Sequence, residues 1–220
     1  MSHQRPLRRA FTLIEMLLVM VVIAILTGII LSLYGLTQNK AARARAQAEI
    51  NTLAGGCELY KADNGSYPQD ATITDTLDPR ATGDPASYQA ASLFLYKQLS
   101  GDLNANGRNE PNATPPEPKG YLTDFWKPGV LAVDPSMTSG NANYVRGLQD
   151  PWGNSYGYST KGATVEQKYR SDVLTNPSTV RPAAQGYNPT FDLWSTAGKT
   201  TAPTPATPAT DVTPVWVKNW

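Results

Sequence analysis

The stretch that decides the fold is residues 11–36, Phe11-Thr12-Leu13-Ile14-Glu15 followed by MLLVMVVIAILTGIILSLYGL. From Met16 to Asn39 there is no charged residue, and Met16–Leu36 alone supplies 21 mostly apolar positions. A helix rising about 1.5 Å per residue needs roughly 20 such residues to cross a hydrocarbon core of about 30 Å, so the stretch reads as a membrane span. It is longer than the apolar region of a secretory signal peptide, about 7–15 residues. It also runs on into Lys40, Arg43, Arg45, Gln47 and Glu49, a helical polar pattern rather than a cleavage site. Ahead of it lie Arg5, Arg8 and Arg9 and no acid, which favours a cytoplasmic N-terminus with the rest of the chain on the far side.

The remaining composition narrows the chemistry. The chain has 220 residues, with 19 Lys and Arg against 18 Asp and Glu, so it has no long-range field for gathering nucleic acid. Its one cysteine makes no internal disulfide. Its one histidine, His3, allows neither a His-based triad nor a multi-His metal site. With 18 Pro and 17 Gly much of the chain must be loop. No phosphate-binding glycine loop, nucleophile elbow or Cys/His cluster occurs, and no motif brings an acid pair such as Asp150 and Asp192 together. An enzyme is not expected.

Glu15 is out of place in the apolar run. A carboxylate in hydrocarbon costs on the order of 3 kcal/mol, so it needs a partner or a purpose. It either snorkels to the headgroups beside the favourable helix N-terminus, or it meets a cation from elsewhere. Arg8-Arg9-Ala10-Phe11-Thr12-Leu13-Ile14-Glu15 resembles the processing site of type IV prepilins and type II secretion pseudopilins. The resemblance implies a cut between Ala10 and Phe11 by a prepilin peptidase, N-methylation of Phe11, and an assembly role for Glu15. A new α-ammonium next to a buried carboxylate of a neighbouring chain would pair two charges that are each costly alone. The family usually has Gly before the cut, where this chain has Ala10, and many members have Pro in the span where this chain has Ser32.

Beyond the span, Ala46, Ile50, Leu53, Cys57 and Tyr60 recur at helical spacing and form one stripe, with Lys40, Arg43, Arg45, Gln47, Glu49 and Glu58 mainly off it. One helix is therefore predicted from about Phe11 to Asp63, stopped by Asn64-Gly65 with Pro68 beyond. Gly55-Gly56 inside it is costly and reads as room for a covering sheet, or as local flexibility. Cys57 reads as a small buried hydrophobe. Leu59–Pro68, the turn Asp150-Pro151-Trp152-Gly153-Asn154 with the strand Ser155–Ser159, the strand Thr190–Ser195 and the closing Asn219-Trp220 resemble the major pseudopilin in the same order. Val215–Val217 is a plausible last strand.

Residues 69–149 are far longer than the family's connection between helix and sheet. They hold a predicted helix, Tyr88–Leu99, which leads into Gly101-Asp102-Leu103-Asn104-Ala105-Asn106-Gly107-Arg108-Asn109-Glu110. Asp102, Asn104, Asn106 and Gly107 match positions 1, 3, 5 and 6 of a calcium loop, the Arg108 carbonyl stands at position 7 and Glu110 at position 9. Position 12 is Ala113, so the bidentate glutamate is missing, and an ordinary Asn/Gly loop is the competing reading. The resemblance implies a different calcium loop, after the Phe191–Ser195 strand, where this chain offers only Asp211 within a Thr/Pro/Ala run.

The expected fold is α+β and type IV pilin-like. A long N-terminal helix, transmembrane in its first half, packs against a small antiparallel β-sheet, with a long inserted loop region. The parts are a leader at 1–10, the helix at 11–63 with 11–36 as span and filament core, and a periplasmic or extracellular globular domain at 64–220. That domain carries the 69–149 insertion and a 200–214 Thr/Pro/Ala-rich loop. The function implied is that of a structural subunit of a type II secretion pseudopilus, polymerising through its helix to drive protein export. The partners implied are copies of itself, minor pseudopilins, an inner-membrane assembly platform and the prepilin peptidase. The chain would be held in the bacterial inner membrane before assembly and in a periplasmic or cell-surface filament after it. A type IV pilin for adhesion, motility or DNA uptake, and a monomeric membrane-anchored binding module, stay open as alternatives. No nucleic acid partner is expected, and Ca²⁺ is the one candidate cofactor.

Overall fold

The computed structural model describes residues 12–81, 83–112, 114, 116–199 and 215–220, with the backbone alone for 31–36. The chain divides between Ala41 and Ala42 into two compact units. One helix, α1 (Leu13–Asn64), supplies the described part of the first unit and opens the second.

In the first unit Leu13–Ile30 has mean hydropathy 2.8, long and apolar enough to cross a membrane, and none of it is buried within the chain. Leu13, Ile14, Leu18, Met20 and Ile30 are all more than half exposed. A helix apolar all round is built for a hydrocarbon surrounding, or for one made of other helices. The Thr27 hydroxyl donates to the Ile23 carbonyl at 2.8 Å and so needs no water.

From Ala42 onward the helix is amphipathic. Ala46, Ile50, Leu53 and Cys57 are fully buried, and Tyr60 packs at the margin. The helix ends where Gly65, at φ 78°, returns its N–H to the Lys61 carbonyl at 2.8 Å. A left-handed cap of that kind favours glycine.

Against the stripe lie α2 (Gln89–Ser100), entered through a 3-10 turn at Pro85–Tyr88, and two small sheets. The first pairs β1 (Leu131–Val133) with β2 (Val145–Leu148), antiparallel with a register shift between Ala132 and Val133. The second runs β3 (Gly157–Ser159), β4 (Asp192–Ser195), β5 (Val217–Lys218), antiparallel throughout. β4 is central and buried at every position, which is why it does not behave as a half-exposed alternating strand. Leu95, Tyr96 and Leu99 of α2, Leu148 of β2, Tyr158 of β3 and Leu193 of β4 close the core over the α1 stripe. A second cluster, Leu77, Tyr88, Ala91, Trp194 and Trp216, covers the other face of β4, with Tyr88 edge-on to Trp194 at 5.0 Å.

Several expectations change here. The 69–149 insertion, expected as a long loop region, supplies α2 and the first sheet to the core, and the Ser92 hydroxyl of α2 both accepts from the Leu148 N–H at 2.7 Å and donates to its carbonyl at 3.0 Å. Gly56 makes room, as expected, but for Leu122 and Leu99 side chains rather than for a sheet. Gly55 has nothing near it. Glu49 is buried although it was placed off the stripe: Arg45 binds its Oε1 at 2.7 Å and the Tyr156 hydroxyl its Oε2 at 2.6 Å. The helix α3 (Lys161–Thr175) is an addition to the expected elements. It buries no residue and is braced along its own surface by Glu166–Arg170 and Lys168–Asp172 pairs.

The closest packing in the second sheet is Gly157 opposite Trp194, where an added Cβ would lie 2.1 Å from the indole ring. Trp194 is fully buried and cannot retreat. Gly157→Ala should therefore destabilise the globular unit by about 1–3 kcal/mol through overpacking. Thermal melting of the full chain in detergent, followed by tryptophan fluorescence, checks this; an unchanged midpoint would mean that β4 is free to shift.

Candidate functional site

At the start of α1, Thr12 and Glu15 form a reciprocal cap. The Thr12 N–H and hydroxyl donate to Glu15 Oε2 at 2.8 and 2.9 Å, and the Glu15 N–H points back to Thr12 Oγ1 at 3.3 Å. Thr-x-x-Glu is the capping-box spacing, so the acid is held at the positive end of its own helix. The side chain stays exposed. Ala10 and Phe11 lie outside the described residues, as do the whole 1–10 stretch and the 200–214 loop.

The motif blocks near the C-terminus converge on β4. Asp150 Oδ1 accepts from the N–H groups of Trp152 and Asn154 at 3.0 and 2.9 Å, which shapes the DPWGN turn. Its Oδ2 accepts from the Ser195 hydroxyl at 2.5 Å, which ties that turn to the end of β4. Asp192 opens β4 and accepts from the N–H groups of Tyr187 and Asn188 at 2.9 and 2.8 Å. Asn219 brackets the same strand, accepting from the Leu193 N–H and donating to the Phe191 carbonyl. Each acid of the Asp150/Asp192 pair is thus taken up by its own turn. Burial pushes the Asp192 carboxyl up to about 6, and raises Asp150 as well. Cys57 is buried beside Tyr158, and burial pushes its thiol well up, which removes nucleophilic character.

The third cluster is the loop after α2. Asp102 is fully buried: Oδ1 accepts from the Asn106 N–H at 3.0 Å, and Oδ2 from the Gly107 N–H and the Tyr96 hydroxyl, both at 2.7 Å. Gly107 takes the sharp turn at φ 84°. Asn106 Oδ1 accepts from the Arg108 N–H at 2.8 Å. Glu110 is exposed, and its N–H is bound at 2.6 Å by a residue that the motif spacing did not reveal, Glu117. The other oxygen of Glu117 accepts from the Asn104 amide at 3.3 Å. Among the described residues no three His, Cys, Asp or Glu side chains gather at one point, so a cation here must draw on amide oxygens too. Asp211 lies outside the described residues.

Residues 5–31 match the family described as "Prokaryotic N-terminal methylation motif". Several curated proteins with one name, "Type II secretion system core protein G", are similar to the chain. The protein from Klebsiella michiganensis is 32% identical over 154 residues, 70% of this chain and 74% of that one. The protein from Dickeya chrysanthemi is 25% identical over 150 residues, 68% and 66% of the two chains. The protein from Pseudomonas aeruginosa is 30% identical over 82 residues, 37% and 58%. The chain spans about three fifths of the P. aeruginosa and Aeromonas hydrophila proteins, 58% and 62% of their lengths. No solved structure matches it significantly.

The buried carboxyl of Asp192 gives a pH dependence of definite sign. An acid whose folded pKa lies above its unfolded value binds protons more readily when folded, so stability rises as pH falls through about 6 toward 4. Asp134 works the other way at lower pH: its hydrogen bonds from Ser136 and the Arg146 guanidinium hold it down to about 2, and its contribution is lost as pH falls from about 4 to 2. The melting midpoint of the globular unit should therefore rise by roughly 5 °C from pH 7 to pH 5 and fall again below pH 4. Asp192→Asn should flatten the rise; a midpoint that drops steadily from pH 7 would contradict the assignment.

Proposed function

Because this chain belongs to the family of type II secretion system core protein G, we propose that it is the repeating structural subunit of a secretion pseudopilus. The observation that carries the reading is α1 itself: an 18-residue apolar surface, none of it buried within the chain, headed by one acid held at its N-terminus. Such a surface suits two surroundings, a bilayer and a bundle of identical helices, and a filament subunit must occupy both in turn. Before assembly the chain is stored in the inner membrane, with the basic N-terminal residues in the cytoplasm. A prepilin peptidase removes residues 1–10, and methylated Phe11 becomes the new terminus. Glu15 then supplies the charge that accepts the terminal ammonium of an adjoining subunit. The growing filament, in contact with minor pseudopilins and an assembly platform, pushes folded cargo outward. The chemistry required of the globular unit is to hold its shape, and the buried acids Asp150 and Asp192 serve that purpose by anchoring turns.

Two measurements test this. Mass spectrometry of the native protein should find a chain that begins at methylated Phe11. An intact Met1-containing chain in assembled material would overturn the reading and favour a monomeric anchored module. Glu15→Ala removes a charge that costs on the order of 3 kcal/mol in hydrocarbon, so it should insert in the membrane at least as well as the parent chain. It should nevertheless be largely excluded from sheared filaments. Normal assembly of that variant would return Glu15 to the role of a helix cap alone.

A further inference from the structure

We propose that α3 is a docking finger whose apolar tip, Leu174 and Val180, seats in the groove between α2 and the β1–β2 connection of an adjoining copy of this chain. The contact rests on the pseudopilus reading and names a surface through which the globular units meet. α3 is rooted at its base but not packed along its length. The Thr160 N–H donates to the Thr74 carbonyl at 3.1 Å and the Thr160 hydroxyl to Asp75 Oδ1 at 2.6 Å. A Cβ on Gly162 would lie 2.7 Å from the Asn188 carbonyl oxygen. Beyond that base no residue of α3 joins either core cluster. Residues 176–181 turn back along the helix instead: the Asn176 N–H donates to the Asp172 carbonyl at 2.8 Å, and Arg181 pairs with Glu166 and lies over the Tyr169 ring at 5.1 Å. The turn leaves Leu174 87% and Val180 84% exposed. Among the described residues from Ala42 onward the next most exposed large apolar residue is Leu59, at 54%. Two aliphatic side chains so fully in water, flanking one turn, form a tip that is stabilised when a partner covers it.

The chain carries the matching recess. Ala86, Ala90, Leu93, Met137 and Val145 line a groove of about 550 Å³ between α2 and the first sheet. The alanines leave room, and a methionine adapts its shape to what enters. α3 forms no part of the lining, so the tip does not fill the groove within one chain. The rims are complementary in charge. Arg146, bound to Asp134, stands half-exposed at the groove, and Asp172, bound to Lys168, stands partly exposed on α3 close to Leu174. An Arg146–Asp172 pair across the contact sets its orientation more than its strength. Tip and groove are different surfaces, so a copy that uses one still offers the other. Such a contact is heterologous: it does not close on itself as a two-fold pair does, and its repetition builds a ring or an open helix of subunits. That is the geometry a filament subunit requires.

Cross-linking of the full chain in filament-bearing cells tests the contact. Cys57 is buried, so cysteines placed at the two rims, Thr175→Cys and Gln89→Cys, supply the reactive thiols. With a short bis-maleimide, a chain carrying both should give a ladder of covalent dimers, trimers and longer multimers in sheared filaments. A chain carrying either one alone should give none. Leu174→Asp should lose the ladder and lower the yield of sheared filament by about tenfold or more, because burial of one leucine is worth at least that factor. Leu174→Met should keep both. Leu174 is exposed in the single chain, so Leu174→Asp should melt at the same midpoint as the parent. Filaments without the ladder, covalent dimers alone, or parent-like assembly of Leu174→Asp would overturn the contact and leave the pseudopilus reading standing. A parent chain that forms no filament would overturn that reading, and the contact with it.

Discussion

A peptide backbone inside hydrocarbon has no water to bond, so every N–H and C=O must be satisfied by the segment itself. That constraint makes residues 13 onward a helix before any side chain is considered, and the rest of the molecule is fitted to the helix it imposes. The same helix changes its solvent part-way along. From Met16 to Ile30 its surface is apolar all round; after Ala42 it keeps only a stripe, and the four buried residues Ala46, Ile50, Leu53 and Cys57 seed the core of the globular unit. One element thereby supplies both an apolar surface unburied within the chain and the scaffold of the core.

The stripe decides what the small sheets must do. Strands of two to four residues have too few ladder bonds to stand alone. They persist because polar side chains, not strand length, fix their ends. Asp150 and Ser195 lock the turn before β3 to the end of β4, Asp192 locks the turn before β4, and Asn219 locks β5 beside it. Asp150, Asp192 and Ser195 are buried polar groups held by hydrogen bonds, and with the half-buried Asn219 they favour one register over its neighbours.

The parts of this design that were legible in the sequence are those with a period or a short-range signature. Ala46, Ile50, Leu53 and Cys57 declare a buried helix face by spacing alone, and of Ala91, Phe94, Leu95 and Leu99, which share helical spacing in α2, all but the half-buried Phe94 are buried. The capping box at Thr12 and Glu15 is equally local, yet it is absent from the sequence reading, where Glu15 stands out only as an acid in an apolar run. The helix α3 gave no such signal because it buries nothing; its i,i+4 charge pairs were the only trace. β1 and β2 were hidden among Pro and Gly in a region read as loop, because three or four residues half covered by α2 show no alternation. The contacts of Asp150 with Ser195, 45 residues apart, and of Glu117 with Asn104 are products of the tertiary fold, and no spacing rule reaches them.

β4 lies between a neighbour made before it and a neighbour made after it. Its last ladder and the bracket from Asn219 come from residues 217–219. Without them Leu193 and Trp194 have no covering strand on one edge, and the central strand of the sheet is unfinished. The two edges of β4 are thus supplied by segments about sixty residues of chain apart, 157–159 and 217–218, so the second sheet closes as one cooperative unit rather than hairpin by hairpin.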